Sequence, residues 1–415
     1  MSESPPPGQP AAIITRHSWL MLGGAFVTFA VGSSLMHAYT VFLLAYIQEF
    51  HWTRGEASIA YSVSQLVTGI GAPLIGVLVD RLGTRRVLVM GSVMLVVGLV
   101  GSAGATALWQ VVILYGVVMT MGVNCLGNIA FAPLLSRLFT RRRGMAFAVV
   151  QGANGLGRAI ASPAAQFLVG IMSWRAAYLV QAGVLAVLIL PMALLFRGAD
   201  TGGRVGGTQA APAPAAPVTT RQWTLREAMR TGRFWVLSLV YLCTGLGSFF
   251  VSLHQLAFLV DQGFDPLYAA SVIGFGALLS TPGIILTGSL SDIIGREMAG
   301  ASTYAISIAG VICAMFITGP GDHWLLWAHV CLFGVTWGAR GPTITAKAAD
   351  LFPGGNLGTI LGVITIGSGL GAAIGSWGAG IIFDMSGSYR LAFILSILSY
   401  MVGAVAFWAL RRPVT

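Results

Sequence analysis

Charge is what this sequence has least of. Of 415 residues only 9% are Asp, Glu, Lys or Arg and 56% are hydrophobic, whereas an ordinary soluble domain carries roughly 25% charge. The mean hydropathy is +0.82. A soluble globular protein and a disordered chain are both excluded by that balance. Cysteine is scarce as well. Cys125, Cys243, Cys313 and Cys331 stand singly inside apolar runs, with no C-x-x-C, which excludes a disulfide scaffold and a thiolate metal site. Lysine is almost missing: Lys347 is the only one among 23 basic residues. There is no G-x-x-x-x-G-K-[ST] loop for nucleotide phosphates, no H-E-x-x-H and no nucleophile with a readable base. Neither ATP hydrolysis nor any other catalysis is expected, and neither a cofactor nor a metal. The 13 acidic residues all fall in tails, loops or the ends of apolar runs, so none lies deep in one.

What the chain does have is length of apolar run and 55 glycines. A membrane-crossing helix needs about 20 apolar residues, and small residues let such helices pack closely. Turn and charge signals cut the sequence into twelve expected spans: 19–46, 58–79, 87–105, 109–136, 144–171 and 174–196, then 234–260, 267–291, 298–318, 323–351, 357–383 and 389–410. The fold class is therefore an all-α membrane protein of twelve transmembrane helices. The Pro-rich tail at 1–18 is not read as a signal peptide, because the apolar run after it is too long for one. Two six-helix units, 19–197 and 234–410, flank a Gly/Ala/Pro-rich linker at 198–233, and 411–415 forms a short tail. Within the linker, residues 222–233 have the pattern of a short amphipathic surface helix or, equally, a solvated one.

Arginine placement gives the orientation. With both termini inside, 17 arginines fall on cytoplasmic loops and tails and only Arg54, Arg175 and Arg390 on outer loops. The bias is the one that membrane insertion imposes, so the basic net charge of +10 speaks for a lipid bilayer and against nucleic acid. The expected location is a bacterial-type inner (plasma) membrane, with multiple passes and both termini cytoplasmic.

The two halves repeat. GVLVDRLGTRR at 76–86 returns as GSLSDIIGRE at 288–297, an offset of 212; GLGRAI at 155–160 returns as GLGAAI at 369–374, an offset of 214; WRAAY at 174–178 returns as YRLAF at 389–393, an offset of 215. Six spans separate each pair, so both copies point the same way, the arrangement of a rocking two-half carrier with a site between its halves. The 76–86 segment resembles, position for position, the loop signature of the major facilitator superfamily, and the resemblance extends over 19–196 and 234–410. WTRGEAS at 52–58, RRGMA at 142–146 and ADLF at 349–352 narrow it to the monocarboxylate transporter and oxalate/formate antiporter branch. The resemblance implies a transporter that works by alternating access, as a monomer. It also implies a gating role for Asp80, Arg81, Arg85, Asp292 and Arg296, whose acids latch the cytoplasmic side beside helix ends and basic partners. The alternative for the arginines is topology alone. In this branch an Asp–Arg pair usually stands in span eight; here span eight has neither residue before Ser291.

Arg340 and Arg158 lie near the middles of spans ten and five. A charge at that depth costs roughly 2.5–3.5 kcal/mol on insertion scales and normally faces a cavity. With no deep acid to neutralise them, the two guanidinium groups suit an anion, and their planar fork suits a carboxylate. The other reading of each is a bond to backbone carbonyls at a glycine-broken helix. His37, Asn124, Tyr39 and Trp337 are candidate substrate contacts, as against packing and helix-to-helix glue. Asn128 and Gln255 have the same two readings. His254 with Asp261 is the one proton-coupling candidate. Lys347, near the inner end of span ten, is read as a snorkelling, gating or topology residue more than a substrate contact.

The expected function is secondary transport of small organic anions, monocarboxylates with proton symport. The partners are thus a small organic carboxylate and a proton or counter-anion. The alternative is a carboxylate/anion exchanger of the oxalate/formate kind. An efflux carrier for drug-like or aromatic compounds ranks lower, since cation exporters need a buried acid, and a membrane sensor has no visible signalling domain.

Overall fold

The computed structural model describes residues 16–127, 130–131, 134–135, 138–139, 143–195, 223–354 and 356–411. The N-terminal tail before Arg16, the linker through 222, Asn128, Arg137, Arg141, Arg142 and the last four residues lie outside them. Among the described residues there are no strands, and the helices group into twelve passages. Eight are long and apolar enough to cross a membrane by length and composition. A ninth, span two at Arg54–Leu82, is bent by 53° between Gly71 and Pro73, where the proline ring removes a backbone donor.

Spans one, four, seven and ten are irregular in mid-course. Span one is Arg16–His37 followed by Tyr39–Phe50, and span seven is Gly232–Ser252 followed by Gln255–Asp261. Span four runs as a π-helix from Val112 to Met119 before Thr120–Cys125. Span ten breaks between His323–Thr336 and Arg340–Leu351, where Gly338 takes a φ of +75°. Only glycine adopts that conformation freely, so the break is written into the sequence at this residue. Broken backbone at membrane depth leaves polar groups unpaired unless they line a cavity or are buried in protein. Here side chains take them up: the Tyr115 hydroxyl donates to Met36 O (2.8 Å) and the Thr120 hydroxyl to Tyr115 O (3.0 Å).

Span boundaries differ from expectation mainly at the Arg-poor end. Span one continues to Phe50, and span two starts at Arg54 instead of 58. The cause is a capping box in which Thr53 accepts from Glu56 N and Glu56 accepts from Thr53 N, which pulls the helix start back over a stretch that reads as loop. The surface helix before span seven is one short element, Leu225–Met229, capped in the same way by Thr224 and Glu227.

Spans two and eleven, and spans five (Arg143–Ile171) and eight (Pro266–Ile294), form the seam between the halves. The seam is tight at the Arg-poor end. A Cβ on Gly380 would come within 2.7 Å of Arg54 O, and one on Gly274 within 2.4 Å of Ala159 O, so only glycine allows this approach. At the Arg-rich end a Cβ on Gly76, Gly152, Gly288 or Gly358 would meet nothing within 4 Å. The halves therefore touch at one end and part at the other. Spans three, six, nine and twelve turn apolar residues such as Val97, Val187, Ile312 and Val405 outward, as a lipid-facing surface requires.

Candidate functional site

Between the halves lies a cavity of about 1000 Å³. Both intramembrane arginines line it, one from each half, together with His37, Asn124 and Trp337. Among the described residues neither arginine has an acidic partner.

The two are held differently. Arg340 follows the break in span ten and is 3% exposed. One terminal nitrogen donates to Ser307 Oγ (2.8 Å) and Thr303 O (3.3 Å), the other to the Tyr400 hydroxyl (3.4 Å). Its guanidinium lies 4.9 and 4.6 Å from the Tyr304 and Tyr400 ring centres. The residue thus ties the inner segment of span ten to spans nine and twelve. Arg158 has no such set. Its guanidinium stacks 4.3 Å from the Trp337 ring, across the seam, and its Nε has no hydrogen-bond partner. Stacking satisfies the face of a guanidinium and leaves its edge for an incoming acceptor.

Around these cations the walls are polar and aromatic. Phe249 packs between Trp337 (5.5 Å) and Tyr61 (6.0 Å). The Asn124 amide nitrogen is buried without a partner. His37 Nδ1 donates to Ser33 O (2.8 Å), which leaves Nε2 of the neutral ring as an acceptor, and Ser33 in turn donates to Asn154 Oδ1 (2.9 Å). Tyr39 is not part of the cavity. Its hydroxyl donates to Ala57 O (2.6 Å) and its ring packs on Tyr61 and Tyr115, behind the wall.

At the Arg-poor end a cluster clasps the halves together. Arg54 pairs with Asp261 (2.8 Å), donates to the Tyr389 hydroxyl and lies 3.8 Å over the Phe383 ring. Asp384 accepts from the backbone of Arg54 (2.8 Å) and Gly55 (2.7 Å), so a carboxylate from span eleven caps the start of span two, where the helix dipole favours it. His254 and Asp261 do not touch; Tyr389 and Arg54 join them. The His254 Nδ1 meets the Tyr389 hydroxyl at 3.2 Å, and Nε2 meets Ser58 Oγ (3.1 Å) and Ser376 O (3.0 Å). The Ser58 proton goes to Arg54 O (2.6 Å), so both neighbours of Nε2 can only accept, and Nε2 carries the hydrogen.

The residues expected to gate the Arg-rich end are apart. Asp80, Arg81 and Asp292 are exposed and form no hydrogen bond or ion pair among the described residues. Arg85 is half-buried. Arg296 pairs with Asp350 (2.6 Å), within its own half. Lys347, read as a snorkelling residue, pairs with Glu297 (2.5 Å). Of the clasp, sequence reading missed Arg54, Asp384 and Tyr389 as a unit. Arg54 and Tyr389 both lay in motifs already singled out, WTRGEAS and the YRLAF repeat; Asp384 carried no signal.

The sequence profile of the Major Facilitator Superfamily matches residues 21–376. The chain belongs to the Major Facilitator Superfamily. Its membership makes it a membrane transporter and not an enzyme. Among superfamily relatives, cattle (Bos taurus) monocarboxylate transporter 13 is 24% identical over 389 residues, covering 93% of this chain and 87% of that protein. Human monocarboxylate transporter 2 is 23% identical, over 94% of this chain and 84% of that one. An uncharacterized MFS-type transporter of Bacillus subtilis (strain 168), YcxA, is 24% identical over 94% of both. The superfamily fold is shared with a crystal structure of the nucleoside transporter NupG, with a TM-score of 0.78 at 12% identity, over 96% of this chain and 100% of that one.

Proposed function

We propose that this superfamily member carries small organic anions, monocarboxylates, by alternating access as a monomer in a bacterial-type inner membrane. With the Arg-rich loops cytoplasmic, the conformation described is the one closed to the outside. The observation that carries the reading is the pair of cavity-lining arginines, Arg158 and Arg340, with no acid beside either among the described residues. Two uncompensated cations in a low-dielectric vestibule favour an anion and repel a cation. The monocarboxylate transporters among the relatives support the same class.

Proton symport is the coupling we favour, through His254 and Asp261, linked by Tyr389 and Arg54 in the clasp. The outer clasp is where an external proton arrives first. The absence of an acid beside the arginines supports a second reading, anion exchange, since an unloaded carrier would move bare positive charge across the membrane. Proteoliposomes separate the two. A pH gradient alone is expected to drive carboxylate uptake; uptake that needs an internal counter-anion and ignores the gradient overturns symport. Arg158→Ala and Arg340→Ala are each expected to abolish uptake in protein that remains folded. Wild-type rates in both variants overturn the anion reading.

A further inference from the structure

On the Arg-poor side of the Arg158–Trp337 stack lies a second cavity, of about 60 Å³. His37, Tyr61, Arg158 and Trp337 line both it and the large cavity, so the stack is the sill between them. The small one has room for a few heavy atoms, the size of one carboxylate group, and not for a whole branched or aromatic acid.

Its polar lining is one-sided in chemistry. Arg158 and Ser252 line it, and neither Arg158 Nε nor Ser252 Oγ has a hydrogen-bond partner. Two buried polar groups left unpaired at one small cavity are costly unless something fills it. Thr40 and Ser162 add hydroxyls 3.3 Å apart. Gln255 donates one amide hydrogen to His329 Nε2 (2.9 Å), because His329 Nδ1 is committed to Gly310 O (2.8 Å), and keeps the second hydrogen. Among the described residues no Asp or Glu lines this cavity. A guanidinium with a free Nε presents its side edge, Nε with one terminal nitrogen, to which a carboxylate binds with two parallel bonds.

Building on the anion-carrier reading above, we propose that the small cavity seats the cargo's carboxylate head, side-on to Arg158 and bonded by the Ser252 hydroxyl, while the large cavity takes the tail. The division makes the head pocket strict and the tail pocket permissive. One carboxylate is recognised, and the carbon skeleton behind it is free to vary. Arg340, already bonded on both terminal nitrogens, then acts as a positioning residue that fixes the span-ten break beneath Trp337.

The test is the KM of acetate, hexanoate and benzoate in proteoliposomes of the full chain. Ser252→Ala is expected to raise all three by about tenfold, the loss of one hydrogen bond to a charged group, with their ratios and Vmax little changed. Ser252→Thr, which keeps the hydroxyl, is expected to restore them. Ala277→Val narrows the small cavity from another wall and is expected to act like Ser252→Ala. Unchanged KM values in both Ser252→Ala and Ala277→Val, in a protein whose wild type does carry carboxylates, overturn the head-group seat and leave the anion reading standing. A wild type that carries none of the acids ends both. Chloride is the control for an inorganic occupant: if it competes with all three acids and Ser252→Ala weakens only chloride, the seat belongs to an inorganic anion and the proposal fails.

Discussion

Removing the Arg54 side chain is expected to open the Arg-poor end. In the clasp Arg54 contributes an ion pair with Asp261 at 2.8 Å, the two side chains being 12% and 32% exposed. Screened pairs of this kind are worth about 0.2–1 kcal/mol. Its stack on Phe383 at 3.8 Å adds about 0.5–1 kcal/mol, and the bond to the Tyr389 hydroxyl about 0.5–1.5 kcal/mol. Together these favour the closed end by about 2 kcal/mol, which is on the order of thirtyfold in population. The same sum distinguishes a weaker variant. Asp384→Asn keeps an oxygen for the Arg54 and Gly55 amides but loses the charge that faces the helix start, about 0.3–1 kcal/mol or two- to fivefold. Spin labels on Ser173→Cys and Pro320→Cys, exposed on Arg-poor loops of opposite halves, report the separation by double electron–electron resonance. Cys313 and Cys331, the half-buried thiols, are first replaced. The expected order of the longer-distance population is Arg54→Ala, then Asp384→Asn, then wild type. Identical distance distributions in all three would refute the assignment of closure to this cluster.

Two further outcomes follow from the site. Trp337→Leu removes the stack that holds Arg158 and is expected to raise the carboxylate KM by about threefold to tenfold, the range of a partly desolvated cation–π contact; an unchanged KM would show that the stack does not hold the guanidinium in place. Gly338→Ala forces a side chain into a left-handed backbone at a φ of +75° and is expected to cost about 1 kcal/mol of thermal stability, while a melting temperature equal to wild type would mean that span ten straightens without penalty.

The architecture was legible because its signals are redundant. Every one of the twelve spans has its own apolar run, the halves confirm each other by repetition, and GVLVDRLGTRR is long enough to name a superfamily. The two arginines were legible for a different reason: a membrane makes a buried charge conspicuous. What the sequence hid is what depends on contacts between distant segments. Tyr39 looked like a cavity residue on a cavity-lining span, yet one hydrogen bond to Ala57 turns it inward. Lys347 looked free to snorkel until Glu297, 50 residues earlier, was brought beside it. Asp384 sits at the end of an ordinary glycine-rich span and acquires its role only when span two begins under it.

The irregular helices and the charges belong to one design. Spans one, four, seven and ten each abandon regular α-geometry at mid-depth, and all four line the central cavity. The seam helices two, five, eight and eleven carry the close approaches, and the first three each give up a backbone donor at one proline, Pro73, Pro163 and Pro282. A break costs backbone hydrogen bonds that hydrocarbon cannot replace, so it survives only where side chains or water reach it. In span ten that cost places Trp337 and Arg340 on the two sides of Gly338, one facing Arg158 across the seam and the other bound to spans nine and twelve. A carboxylate that binds Arg158 therefore acts on the residue next to a backbone joint whose far side is fixed. In the proposed carrier, binding energy at that point would bear on the relative position of the halves, and the charge proposed to seat the cargo stands where it would bias which end of the seam is shut.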